Sequence, residues 1–264
     1  MKKTDRKVGN VPVFVTSITP DSKQPKGDIV LVHMSWGASW AFRFHMPFLA
    51  EAGYVVHALD LRGHGKSGGT VAGATMRDYV DDVHTVVQKL GIKSPIVIGH
   101  SMGGLVALMY SANHPVRATV AMDSSSPSEV QKTSEEKTYP EVYRPEDAGM
   151  PKNPMKAMQA LSDIPMMRMV MMKMMLGVES GVARSERKKG ISVPKESLKA
   201  PVLFIGAERG TSLPFGIGIE LVRAQAAYYG APVVEIQGAT HPGLLIGKHW
   251  EKTVEATVRW LETT

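Results

Sequence analysis

The chain has 264 residues, of which 43% are hydrophobic and 21% charged; that balance belongs to globular proteins and excludes disordered or fibrous architectures. Cysteine is absent, so disulfides, thiolate metal sites and a cysteine nucleophile are excluded together, in keeping with a reducing compartment. The formal charge of +6 is spread along the sequence rather than gathered in a stripe, so no nucleic-acid partner is expected.

Residues 1–7 are basic, but no apolar signal-peptide core follows them. No apolar run reaches the ~18 residues a membrane span needs. A cytoplasmic protein without stable membrane insertion is the expectation. Residues 28–33 form a short apolar run of the kind buried in a parallel sheet, followed by a helical stretch over 38–52 that Gly53 closes. A second strand is expected at 54–60. Met76, Tyr79, Val80, Val83, Val86, Val87 and Leu90 then recur at the spacing of an amphipathic helix, which Gly91 ends. Strand 95–99, helix 102–113 and strand 118–122 continue the alternation. The fold class is therefore α/β, a mostly parallel sheet with helices on both faces.

The alternation stops at Asp123. Residues 124–199 carry no strand signal and hold ten methionines between Met150 and Met175. Strand 201–205, helix 218–229, strand 232–236 and helix 248–261 then resume it. The expected organisation is a core of residues 1–123 and 200–264 with an insertion at 124–199.

Gly99-His100-Ser101-Met102-Gly103-Gly104 lies between a buried strand and a helix. This is the context of a nucleophile elbow, a turn so tight that only glycines fit beside the serine. A serine at neutral pH needs a base and an oxyanion site. His241, in the loop between the last strand and the last helix, is the candidate base. His100 is expected to face away from the serine, and His33, His57 and His84 are expected to be structural. The backbone N–H of Met102 is one expected oxyanion donor, and that of Ser35 in His33-Met34-Ser35-Trp36-Gly37 the other. Arg62-Gly63-His64-Gly65-Lys66-Ser67 ends like a phosphate-binding loop, but Asp60 occupies the position of its first glycine.

Taken together, His33-Met34-Ser35-Trp36-Gly37, Asp60-Leu61-Arg62-Gly63-His64-Gly65-Lys66-Ser67, Gly99-His100-Ser101-Met102-Gly103, Pro201-Val202-Leu203-Phe204-Ile205-Gly206 and Gly238-Ala239-Thr240-His241 resemble the α/β-hydrolase family in order and spacing. The resemblance implies an α/β-hydrolase fold, with residues 124–199 as a helical cap over the active site. Met34 stands where the family usually has glycine. Most relatives place the triad acid after the following strand, four residues before a proline; counting back from Pro214 gives Gly210, which cannot serve. Two carboxylates remain, Asp123 at the end of strand 118–122 and Glu208, of which Asp123 is preferred.

The implied activity is a serine hydrolase of small to medium, apolar carboxylic esters, with no metal or cofactor. A thioesterase, carbon–carbon bond hydrolase, lactonase or perhydrolase on the same fold is an alternative, as is a non-catalytic ligand-binding relative. Trp36, Met166, Met169 and Met172 are candidate pocket residues, methionine being suited both to packing and to a tolerant apolar wall. Residues 185–190 read as a solvated turn.

Overall fold

A computed structural model describes residues 1–264 apart from 132–135 and 137. The chain opens with an antiparallel hairpin, β1 (Lys2–Val8) and β2 (Val13–Thr19), and then enters the βα alternation. In order come β3 (Asp28–Val32), α1 (His45–Glu51), β4 (Val55–Asp60), α2 (Met76–Lys89), β5 (Ile96–His100), α3 (Met102–Asn113) and β6 (Ala118–Met122). An inserted segment carries β7 (Val142–Tyr143), α4 (Pro154–Ala160), α5 (Met166–Met175), β8 (Glu179–Ser180) and α6 (Gly181–Lys189). The chain ends with β9 (Val202–Arg209), α7 (Ile219–Tyr229), β10 (Val233–Thr240), α8 (Gly243–Ile246) and α9 (Trp250–Leu261).

Eight strands form one sheet in the order β1-β2-β4-β3-β5-β6-β9-β10. The six from β4 to β10 run parallel, and β2 lies antiparallel to β4 at the edge. Because β6 and β9 are hydrogen-bonded neighbours, everything between them is an excursion from a continuous sheet.

The apolar runs divide between two layers by the two-residue period of a strand. Ile29, Leu31, Ile96 and Ile98 face the layer built with Leu49, Val254 and Leu261 of α1 and α9. Val30, Val32 and Val97 face the layer built with Tyr79, Val83, Leu105 and Val222 of α2, α3 and α7. Full burial of each such side chain stabilises by roughly 1.5–3 kcal/mol. Helix α2 begins at Thr75, whose hydroxyl accepts from the Asp78 N–H while the Asp78 carboxylate accepts from the Thr75 N–H. Such a cap contributes about 1 kcal/mol.

The N-terminal hairpin is not expected from the sequence. Strand β1 is almost wholly exposed and reads Lys2-Lys3-Thr4-Asp5-Arg6-Lys7-Val8, so it has no apolar face to give a period. Its charges suit a sheet edge, where they oppose pairing with another chain. The inserted segment also contains a short antiparallel pair, Val142–Ser180 and Tyr143–Glu179, within a region expected to be purely helical.

Candidate active site

The turn after β5 is shaped by what cannot fit there. A Cβ on Gly99 would lie 1.9 Å from the Gly103 carbonyl oxygen, and one on Gly103 would lie 2.2 Å from that of Val32. Helix α3 therefore packs directly against the strands, and the chain must reverse within Ser101. That residue has φ 57° and ψ −118°, a conformation that costs an L-residue of order 1–3 kcal/mol. Its N–H donates to the Met122 carbonyl at 2.9 Å, which ties the turn to β6.

Asp123 follows β6 directly and is fully buried, also at positive φ (39°). One carboxylate oxygen accepts from the Ala207 N–H at 2.9 Å and the other from His241 Nδ1 at 2.9 Å. His241 follows β10, so all three residues stand beyond the C-terminal ends of parallel strands, where open α/β sheets place their ligands. Burial disfavours charge on both partners: it holds the His241 imidazole at about 4, below its ordinary 6.5, and pushes the Asp123 carboxyl up. The imidazole is therefore neutral near pH 7, with Nδ1–H donated to Asp123 and Nε2 left as a base.

Glu208 is elsewhere. It is exposed and accepts from the Gly238 N–H at 2.7 Å. The vacant slot at Gly210 nonetheless points to the same place, since a Cβ there would lie 3.4 Å from Asp123 Oδ2. It would also lie 1.8 Å from the Ile217 carbonyl oxygen, so an acid at residue 210 is sterically barred.

Ser35 and Met102 are neighbours, with the Ser35 hydroxyl 3.5 Å from the Met102 sulfur. The loop carrying Ser35 is anchored by His33, whose Nδ1 donates to the Met34 carbonyl and whose Nε2 accepts from the Leu61 N–H. Ser101 and His241 open onto a cavity of about 460 Å³, also lined by Met34, Ser35 and Trp36.

Of the three candidate methionines, the structure brings one to the cavity. Met172 lines it; Met169 is buried in the core; Met166 is 59% exposed. Each three-residue step on a helix falls about 60° short of a full turn, so Met166 and Met172 are some 120° apart around α5. The reading of 185–190 as a solvated turn is also corrected. Residues 185–189 are the end of α6, and Arg187 is 7% exposed and lines the cavity.

Two further residues escape the sequence reading. His100 does not turn away from the site. Its ring lies 4.5 Å from that of His241, and its Nε2 donates to the His241 carbonyl at 2.9 Å. Asp163, in the inserted segment, accepts from the Thr240 N–H at 2.9 Å and the Thr240 hydroxyl at 2.7 Å, which fixes the residue before His241. Neither has a local signal, because each acts through contacts between distant stretches of chain. His100, Asp123 and His241 place three potential ligand atoms within 4.8 Å of one another. A cation held there would compete with the His241–Asp123 hydrogen bond.

A family model for the alpha/beta hydrolase fold matches residues 28–153. A monoacylglycerol lipase of Mycolicibacterium smegmatis is 39% identical over 115 residues, 41% of this chain and 40% of the lipase. An esterase of Exiguobacterium antarcticum superposes with a TM-score of 0.74 at 18% identity, covering 99% of this chain and all of the esterase. The chain has the α/β-hydrolase fold. A non-heme chloroperoxidase of Burkholderia pyrrocinia is 36% identical over 107 residues, 39% of this chain and 36% of the peroxidase. The aligned stretches thus span about two-fifths of the length of these curated relatives, and the family-model match over residues 28–153 includes Ser101 and Asp123 but not His241. No helix among the described residues is long and apolar enough to cross a membrane.

Proposed function

We propose that the chain is a serine hydrolase of small to medium, largely apolar carboxylic esters, with residues 124–199 acting as a cap over its site. The observation that carries this reading is the 2.9 Å hydrogen bond from His241 Nδ1 to Asp123, beside a serine held at φ 57° between strand and helix. Ser101 Oγ attacks the ester carbonyl and passes its proton to His241 Nε2. Asp123 keeps the imidazole in the required tautomer and stabilises the imidazolium that forms.

The N–H groups of Ser35 and Met102 receive the negative charge that develops on the carbonyl oxygen. Collapse of the tetrahedral intermediate expels the alcohol, which takes the proton from His241, and leaves the acyl group on Ser101. Water then gives a proton to His241 and attacks the acyl-enzyme. The acid leaves, and the proton returns to Ser101. No step needs a metal or an organic cofactor, and the partner is a small-molecule ester.

The test is turnover of p-nitrophenyl butyrate by the wild type and by Ser101→Ala. Loss of about 10⁴-fold or more in kcat, with the melting transition retained, is expected. Activity within tenfold of the wild type would remove Ser101 from the mechanism.

A further inference from the structure

One wall of the cavity departs from the apolar character of the rest. Met150, Met172, Leu176, Leu213 and Phe215 form the apolar side, whereas Arg184, Arg187 and Lys188 of α6 line the other. Positions 184, 187 and 188 are three and four residues apart, so they share one helix face.

Arg187 is the most deeply set of the three. Its Nη2 donates to the Ser35 hydroxyl at 3.1 Å and the Tyr143 hydroxyl at 3.4 Å, its Nη1 to the Ser125 hydroxyl at 3.5 Å, and its Nε to the Ala183 carbonyl at 3.3 Å. Every one of these acceptors is neutral. Among the described residues no carboxylate lies within ion-pairing distance of it. Glu179 influences it electrostatically, but its oxygens are engaged by the Tyr79 hydroxyl, the Ser180 N–H and the nearby His64. A guanidinium so far from water is ordinarily matched by a bidentate carboxylate or phosphate.

Other groups on the cavity are also unmatched. The Arg184 Nε, the Trp36 Nε1 and the Ser126 hydroxyl are buried without a protein partner among the described residues. The one described carboxylate on the lining besides the triad's surroundings, that of Glu220, is exposed and paired with Arg223 at 2.6 Å.

We infer that the site takes esters that carry a carboxylate a short spacer from the scissile carbonyl, and that Arg187 binds that carboxylate. The inference rests on the ester-hydrolase reading and names its substrate class. Because Arg187 touches Ser35, a carboxylate on its open side lies close to the carbonyl held by the Ser35 and Met102 N–H groups. The apolar remainder of the substrate then occupies the methionine and leucine side.

The test compares kcat/KM for butyl hydrogen glutarate and O-butyryl glycolate, charged on the acyl and alcohol sides, with that for uncharged butyl hexanoate. The wild type is expected to favour one charged ester by about tenfold or more. Arg187→Gln is expected to reduce that preference by at least ~10-fold, mainly through KM. A purely structural role for Arg187 predicts an equal loss on charged and uncharged esters, and that result would overturn the inference.

A second readout needs no variant at the buried arginine: glutarate dianion should slow fluorophosphonate labelling of wild-type Ser101, whereas hexanol at the same concentration should not. Turnover of butyl hexanoate without preference or protection would overturn the carboxylate assignment and leave the hydrolase reading standing. Absence of turnover of all three esters together with absence of labelling would overturn both.

Discussion

The candidate site has two walls of different construction. The floor comes from strand ends: Ser101 after β5 and Asp123 after β6, each strand paired on both sides, and His241 after the edge strand β10. The opposite side comes from the inserted segment, through Met150, Met172, Leu176 and Arg187. Backbone fixes the first region, through turns in which a single added Cβ would collide with a carbonyl. Side-chain packing and buried polar contacts fix the second. On the proposed reading, the floor is therefore expected to tolerate almost no substitution, whereas changes along the inserted wall are expected to alter substrate preference more than the chemistry.

The largest effect that would break this contrast lies on the floor. Asp123→Asn keeps the shape of the carboxylate but accepts only weakly from His241 Nδ1, and kcat should fall by about 10⁴-fold. Glu208→Gln, at an exposed position bonded to Gly238, should stay within about threefold. Steady-state kinetics on p-nitrophenyl butyrate separates them, and the reverse ranking would move the acid to Glu208, near the end of β9. Gly210→Asp in the Asp123→Asn background should not restore activity, because its Cβ would meet the Ile217 carbonyl.

Asp163 sharpens the comparison, being a residue of the inserted segment that reaches the floor. Asp163→Ala leaves the buried Thr240 N–H and hydroxyl unpaired, a cost of about 1–3 kcal/mol for such groups. A lower urea midpoint and a drop of roughly tenfold in kcat are expected together. Unchanged kcat at lowered stability would confine Asp163 to a structural role.

The pH profile reports on the floor alone. Burial lowers His241 to about 4. On the acid side kcat/KM should decline as the buried pair takes up a proton. Because burial also raises Asp123 to about 7, the midpoint belongs to the pair rather than to His241 alone. An acid midpoint that Asp123→Asn leaves unmoved would contradict a coupled Asp123–His241 pair.

The smallest expected effects belong to the methionines. Replacing Met150 and Met172 by alanine should widen acyl-chain preference while changing acetate turnover by no more than a few fold. Met166→Ser, at an exposed position, should leave the chain-length profile as it is. Equal shifts from both would mean that α5 acts as a unit rather than through the face it turns inward.

The same contrast explains what the sequence made legible. The elbow could be read because its requirements are local: a buried strand, glycines flanking a serine and a helix start within a few residues. The parallel core could be read from apolar runs of strand length and from the spacing of α2. Asp123 could be preferred over Glu208 only by position on a strand, since the meeting of residues 123 and 241 is a property of the assembled sheet. Arg187 and Asp163 were invisible for the opposite reason. A charged residue in the polar helix α6, or in the turn between α4 and α5, has the pattern of a solvated surface, and only packing against Ser35 or Thr240 distinguishes it. Strand β1 likewise carries no sequence signal, being an exposed edge without an apolar face.

The most direct test of the central claim is fluorophosphonate labelling of the intact chain, followed by peptide mapping by mass spectrometry. One adduct per chain is expected, located on Ser101, absent from Ser101→Ala and formed much more slowly in Asp123→Asn. An unlabelled wild type, or an adduct on another residue, would contradict a nucleophilic Ser101 activated by His241 and Asp123.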